Sequence, residues 1–403
     1  MNEFIETQVA LRWTDLKSAY DVVIIGGGGH GLATAYYLAT RHGITDVAVL
    51  EKGYIGSGNS GRNTTIIRSN YGIGESVRFY QRSLELYAGL EAETGRWLMH
   101  AEKGLLWLVH SETGLRTERA RVAINQANGV ETCLVTPEEV TGICPQIDLD
   151  GGGRYPVMGA SYQPAAATAR HDRVVWALAE GAMAQGAHVH QHTTVTGLQT
   201  DGDRVTGVQT DRGPIAAGTV VSAVGGRVSR IAAMAGVRLP VRTHPLQAFV
   251  TNHYAQTFAP IVASTELTFY ASQTPRGEML LGAEIEPEPS YSSRSGFDFL
   301  EQTAGRALLF LPFLANLRIL RPWAGICDMT PDSSPIMGFS GVDGFLLTTG
   351  WGTWGFKAIP AGGEQMAELI ATDRTPELIA PFSLDRFTGD CLLADAGSSG
   401  TQH

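Results

Sequence analysis

Cysteine is scarce in this chain: Cys133, Cys144, Cys327 and Cys391 are its 4 cysteines, and no two stand at Cys-x-x-Cys spacing. They suggest neither a disulfide framework nor a zinc site, and no metal is expected. No apolar run reaches the roughly 18 residues that a membrane span requires, so no membrane partner is expected. Positive charge is in deficit, with 30 Lys and Arg against 40 Asp and Glu and a net charge of −10. Without a basic footprint, nucleic acid is not expected as a partner. Lysine occurs only at Lys17, Lys52, Lys103 and Lys357, which makes a lysine beside a glycine turn informative. The opening Met1-Asn-Glu-Phe-Ile-Glu has acids and no apolar core ahead of a cleavage site, so no secretory signal is expected and the compartment is expected to be cytoplasmic.

What is present is glycine, 48 residues in 403, within an ordinary globular composition of 43% hydrophobic and 17% charged residues. That length suits two interleaved domains better than one small core. The most informative stretch is Asp21-Val-Val-Ile-Ile followed by Gly26-x-Gly28-x-x-Gly31 and the apolar periodicity of Leu32, Ala35, Tyr36 and Leu38. Strand, glycine turn and helix in that order let a pyrophosphate meet bare backbone at the positive end of a helix. A second strand, Val47 to Leu50, ends at Glu51, placed to accept hydrogen bonds from an adenosine ribose. Chance glycine triplets are common, but this context makes a dinucleotide site the better reading.

Beyond it, the segment from Gly53 to Gly72 is too rich in glycine and small polar residues for a regular element and too long for an idle connection. Periodicity predicts helices over 75–93, 113–128, 172–185, 296–311 and 361–371, with Thr136 capping a further helix that has Pro137 in its first turn. Turn signals at Asp201-Gly and Asp211-Arg-Gly predict a three-stranded meander, leading to a separate buried strand, Thr219 to Val224, that ends in paired glycines. Residues 240 to 285 alternate as strands do, and Asp343 to Lys357 read as strand and glycine turn. Residues 1–20 read as an irregular lead-in and the C-terminus as a frayed tail.

A glycine fingerprint at the start, a paired-glycine strand in the middle and a glycine turn near the end resemble the amine-oxidising flavoproteins of the D-amino-acid-oxidase class. Within it the chain is similar, from Trp13 to Phe387, to the β subunits of heterotetrameric sarcosine oxidases. The blocks that carry this are Gly26-Gly-Gly-Gly-His-Gly-Leu-Ala-Thr-Ala-Tyr-Tyr-Leu, Arg62-Asn-Thr-Thr-Ile-Ile-Arg-Ser-Asn-Tyr, Arg154-Tyr-Pro-Val-Met-Gly-Ala, Ala169-Arg-His-Asp, His244-Pro-Leu-Gln-Ala and Gly350-Trp-Gly-Thr. The implied fold is α/β, a Rossmann-like FAD-binding domain of glutathione-reductase and D-amino-acid-oxidase type interleaved with a mainly antiparallel-sheet α+β substrate domain. Residues 1–90, 150–235 and 320–390 would form the first, 91–149 and 236–319 the second, and 391–403 the tail.

The resemblance further implies non-covalent FAD at Gly26, Gly28, Gly29, His30, Gly31, Glu51, Asn59, Thr64, Ile66, Val195, Gly352 and Gly355. It implies a second flavin, FMN, bonded covalently to His171, which from composition alone is a helix-start histidine. Arg68, Lys357 and Thr353 occupy the positions expected to be catalytic, with Arg68 and Lys357 clamping the carboxylate of an N-methyl amino acid; Lys357 is open between substrate and second flavin. The expected reaction is oxidative demethylation of sarcosine to glycine and formaldehyde or methylene-folate, electrons passing to FMN and then O2 to give hydrogen peroxide, with α, γ and δ subunits as partners. A dehydrogenase of the same class feeding a quinone or another flavoprotein, and a flavin-holding scaffold, are the alternatives; an NAD-dependent enzyme leaves the late glycine turn without a place. One-subunit relatives carry a flavin-linking cysteine and an oxygen-reducing lysine where this chain aligns Gly325 and Leu280. Where the β subunits have glycine, this chain has Trp354, a bulky indole expected to reshape the pocket or turn to a partner surface, leaving dimethylglycine or proline-like imino acids open as substrates.

Overall fold

The computed structural model describes residue 11 and residues 13–256, 258–389 and 391–393. Most of the expected lead-in and tail, residues 1–10, 12 and 394–403, lies outside the described residues. The glycine fingerprint folds as β1 (Ala19–Ile25), α1 (Gly29–His42) and β2 (Val47–Leu50). β1 pairs in parallel with β2 on one side and with Gly213–Ser222 on the other. A parallel strand is covered on both faces, which is why this run is β-branched throughout. Its alternation sorts side chains between two cores, Val22 and Ile24 into one, Val23 and Ile25 into the other.

The sheet around β1 runs Val195–Asp201, Arg204–Thr210, Gly213–Ser222, β1, β2, His188–His190, with Phe345–Thr349 also pairing in parallel to Gly213–Ser222. Meander and buried strand, expected as separate elements, are one: Gly213–Ser222 leaves the antiparallel ladder at Ala216 and continues in parallel beside β1. No turn residues interrupt it, because the strand changes partner rather than direction.

A second 8-stranded sheet runs Ile319–Met329, Arg242–His253, Glu278–Ile285, Phe269–Gln273, Ile261–Ser264, Leu105–Val109, Gly159–Gln163, Cys133–Val135. It is antiparallel except where Ile261–Ser264 meets Leu105–Val109, and helix Phe297–Leu308 packs on its apolar face. A Rossmann-like sheet joined to a mainly antiparallel one is the expected fold class. Gly159–Gln163 and Ile319–Met329 hydrogen-bond into this second sheet, although they fall in segments assigned from the sequence to the first. Long antiparallel registers draw them there, Arg242–His253 matching Ile319–Met329 over almost its whole length. A third small sheet pairs Ile66–Ile67 and Ala101–Glu102 with Ala167–Thr168, Ile66 facing Thr168.

The expected helices are present as α2 (Gly74–Thr94), Glu112–Ala127, His171–Ala184, Phe297–Leu308 and Ile359–Thr372. Thr136 and Glu139 close a capping box around Pro137. Among the described residues no helix is long and apolar enough to cross a membrane.

Close approach is the constraint that places α1. A Cβ on Gly31 would lie 2.0 Å from the Gly26 carbonyl oxygen, and one on Gly363 would lie 2.3 Å from the Ala33 Cβ. The first glycine lets α1 leave the strand at once, and the second lets Ile359–Thr372 lie against it. Gly31→Ala is expected to cost about 1–3 kcal/mol through overpacking. Urea denaturation of the purified protein measures this, with FAD release at a lower temperature as the accompanying sign.

Candidate functional site

A cavity of 830 Å³ lies between the two large sheets. It is lined by Gly26, Gly28, Gly29, His30, Glu51, Asn59, Thr64, Ile66, Arg68, Val195, Gly352, Thr353, Gly355 and Lys357, so all but two of the residues singled out in the sequence converge on it. At its floor the α1 N-terminus has Gly28 as N-cap and no side-chain cap, and the Gly29 N–H donates to Ser60 Oγ at 2.9 Å. Glu51 is pinned at the end of β2 by the N–H groups of Gly27 (2.9 Å) and Gly53 (2.8 Å), which hold its carboxylate at the cavity wall.

The glycine turn at 350–355 forms the opposite wall. Gly350 and Gly352 take φ of +69° and +51°, a conformation that favours glycine. Buried Asp328 locks the turn: its carboxylate accepts from Thr349 Oγ1 at 2.9 Å and the Gly350 N–H at 2.6 Å. Burial pushes the Asp328 pKa upward against those hydrogen bonds. His30 joins α1 to the turn, stacked on Trp351 with ring centroids 4.0 Å apart and Nε2 2.9 Å from the Gly355 carbonyl oxygen. Burial lowers its pKa to about 3, so the imidazole is neutral. Facing a carbonyl, Nε2 carries the proton and Nδ1 is the acceptor, buried with no hydrogen-bond partner among the described residues.

The loop from 53 to 72 ties the sheets together. Asn59 Nδ2 donates to the Ile326 carbonyl while Asn59 Oδ1 accepts from the Ile326 N–H at 2.8 Å, and Trp323 Nε1 donates to the Arg62 carbonyl at 2.6 Å. Thr64 donates to Tyr270 Oη at 3.2 Å, and burial raises the Tyr270 pKa to about 12, keeping the phenol neutral.

Two cations sit in the same cavity. Arg68 is only 5% exposed, and its Nη1 donates to the Asn70 carbonyl (2.8 Å) and Asn70 Oδ1 (2.9 Å). Its guanidinium carbon stands 4.3 Å from the Tyr71 ring centroid and 4.9 Å from that of Trp107. Lys357 is 7% exposed, and its Nζ reaches the Thr353 carbonyl at a long 3.4 Å. Desolvation, then the charge of Arg68, hold the Lys357 pKa well below the ordinary lysine value. Among the described residues no carboxylate forms an ion pair with Lys357. A buried amine whose charged form desolvation disfavours regains that charge most readily beside an anion.

Gly31 and His171 stand apart from the cavity. Gly31 serves helix packing. His171 opens the helix His171–Ala184 with its side chain 28% exposed and Nδ1 3.7 Å from Asp172 Oδ1. Beside it Arg173 stacks on Trp97, which is 45% exposed. Trp354 turns inward, edge-on to Tyr71 at 4.8 Å and to Tyr80 at 6.0 Å, and also lines the cavity. It therefore reshapes the pocket rather than facing a partner. Gly325 and Cys327 line the cavity and Leu280 does not; burial pushes the Cys327 thiol far up, keeping it protonated. Ser60, Trp107, Tyr270, Asp328 and Trp351 join the site without having been singled out as site residues. Trp351 left a trace inside a motif block and Ser60 inside the glycine-rich segment from Gly53 to Gly72; Trp107 and Tyr270 read as ordinary strand aromatics.

The family described as FAD dependent oxidoreductase (DAO) matches residues 21–369. Sarcosine oxidase subunit beta of an Arthrobacter species is 44% identical over 387 residues, covering 96% of this chain and 96% of the relative. That of Rhodobacter capsulatus is 42% identical, covering 96% of this chain and 93% of the relative. Among solved structures, L-proline dehydrogenase from P. horikoshii matches with a TM-score of 0.87 and 32% identity, over 93% of this chain and 99% of that one. Glycine oxidase from Geobacillus kaustophilus, with a TM-score of 0.82, 24% identity and 92% and 99% of the two chains covered, shares the fold. With a dinucleotide cradle facing Arg68 and Lys357, and with a family match over residues 21–369 and relatives 42–44% identical over 96% of its length, the chain belongs to the FAD-dependent oxidoreductases of the DAO family and is similar to the sarcosine oxidase β subunits.

Proposed function

We propose that this chain is the catalytic β subunit of a heterotetrameric sarcosine oxidase, oxidising N-methylglycine to glycine and formaldehyde or methylene-folate, with O2 reduced to hydrogen peroxide in the assembled complex with α, γ and δ subunits. The observation that carries it is the pairing of buried Arg68 with buried, counter-ion-free Lys357 at one cavity wall. Arg supplies a planar fork and Lys a compact charge, a combination suited to a small carboxylate.

FAD fits the cavity: uncapped α1 and bare glycine backbone suit its pyrophosphate, Glu51 its ribose, and the Gly350–Gly355 turn leaves room for the ring system. Bound there, FAD supplies the hydride acceptor. The protein's share is orientation: Arg68 and Lys357 fix the carboxylate so that the N-methyl C–H bond has one direction available. Trp354 lines the cavity beside them, backed by the rings of Tyr71 and Tyr80. FMN fits less of what the chain shows by itself, but His171 is partly exposed and is flanked in sequence by Arg170, which pairs with Asp172, and by Arg173. We assign covalent FMN attachment to that histidine. A second reading, oxidation of proline-like imino acids, draws on the structural match to L-proline dehydrogenase and on Trp354. Flavin bleaching under anaerobic mixing with sarcosine, dimethylglycine and proline separates the two: reduction by proline alone would overturn the sarcosine reading.

Three outcomes are expected. Arg68→Met and Lys357→Met each lower kcat/KM for sarcosine by about two orders of magnitude, from the ~2–5 kcal/mol lost when one partner of a buried charge contact is truncated; steady-state oxygen uptake measures this. On the acid side kcat/KM rises with pH as the substrate amine loses its proton. The sign reverses for Lys357: its charged form lies below its depressed pKa, so affinity for a carboxylate competitor falls as pH rises through that point, and the fall is absent in Lys357→Met. His171→Ala gives a complex whose acid-precipitated β chain is colourless while extractable FAD is unchanged; mass spectrometry of the peptide containing residue 171 checks it.

A further inference from the structure

Strand Leu105–Val109 is buried at every position, yet its alternation splits it between two environments. Leu106 and Leu108 enter the core under helix Phe297–Leu308, while Leu105 and Trp107 face the opposite side with Ile261 and Ala263. On that side Trp107 lines the 830 Å³ cavity. Trp107 and Thr265 also line a neighbouring 1390 Å³ cavity, so the indole and that threonine are the partition between the two.

The indole is held from three directions. Its Nε1 donates to Thr265 Oγ1 at 2.5 Å. One guanidinium, that of Arg68, stands 4.9 Å from its ring and another, that of Arg121, 5.2 Å. Two like charges on one ring repel unless one is neutralised, and Arg121 is: its Nη1 lies 2.9 Å from Glu118 Oε1, both side chains 5% exposed or less. Glu118 Oε2 in turn accepts from Ser161 Oγ at 2.6 Å, and Ser161 is the residue directly across the ladder from Trp107. Sheet register therefore sets the Arg121–Glu118 pair beside the indole, on which Arg68 stacks from the cavity lining. Arg68 itself lies between Trp107 and Tyr71, whose rings restrict the plane of its guanidinium.

We propose that Trp107 is a positioning residue for the reaction: braced by Thr265 and by the Arg121–Glu118 pair, it fixes the plane in which Arg68 meets the substrate carboxylate. The inference rests on Arg68 being part of the carboxylate clamp. A bidentate contact depends on the orientation of the guanidinium plane, and holding that plane before binding removes an ordering cost from each binding event.

The test uses the FAD-loaded complex and methoxyacetate, an ether analogue of sarcosine, with the shift of the visible flavin absorption reporting Kd. Trp107→Leu is expected to raise Kd about tenfold, as loss of a desolvated cation–π contact does. Trp107→Phe, which keeps an aromatic face, is expected to stay within about threefold of the parent, and Trp107→Leu combined with Arg68→Lys to be no weaker than Arg68→Lys alone. An unchanged Kd in Trp107→Leu beside a raised one in Arg68→Lys overturns the positioning role and leaves the clamp intact. An unchanged Kd in Arg68→Lys overturns the clamp, and the inference with it. If Trp107→Leu does not retain FAD, Thr265→Val carries the test: it removes the Nε1 acceptor and leaves the indole, and a Kd equal to the parent's overturns the proposal.

Discussion

Positive charge buried away from water is costly, and this chain keeps Lys357, without a carboxylate partner among the described residues, beside the buried Arg68. Their cavity has acids in its wall, but both are engaged elsewhere: Glu51 by the N–H groups of Gly27 and Gly53, Asp328 by Thr349 and Gly350. Those carboxylates brace loops instead of pairing with Lys357. On the proposed reading the charge at that wall meets an incoming anion, and the rest of the architecture is the means of holding it there.

That holding is divided between the two sheets. The parallel one supplies the bare α1 terminus and Glu51; the antiparallel one supplies Trp107, Tyr270 and Asp328. Asn59 and Arg62, on the loop after β2, grip Ile326 and Trp323 of the second sheet, while His30 on α1 grips Gly355. The dinucleotide floor and the substrate wall are thus joined by hydrogen bonds whose partners are mostly backbone atoms. Such a seam fixes the relative placement of the two halves, and reactions between bound groups depend on that placement.

Much of this was legible in the residues. β1, α1 and β2 follow from β-branched run, glycine spacing and acid, because each is a local requirement of backbone sterics. Arg68 was found through a motif block and Lys357 through its place beside a glycine turn in a chain poor in lysine, since an arginine or lysine carries no mark of its burial. Trp107 could not be found: a tryptophan in Leu-Leu-Trp-Leu-Val reads as core, and only the register opposite Ser161 and the approach of Glu118 and Arg121 from another helix give it a different meaning. The strand Gly213–Ser222 was divided in two for a related reason, because a change of pairing partner leaves no turn signal behind.

The smallest of the three sheets has a consequence out of proportion to its size. Ile66, in the cavity wall, is paired across it with Thr168, and the chain from Thr168 reaches His171 in a few residues; three residues of extended backbone span at most about 10 Å. If a flavin is carried at each end, the separation between the two redox centres is set by one ladder rung and a short peptide, not by side-chain packing. Surface residues around His171 are then free to diversify with the partner subunits while the electron-transfer distance stays constant.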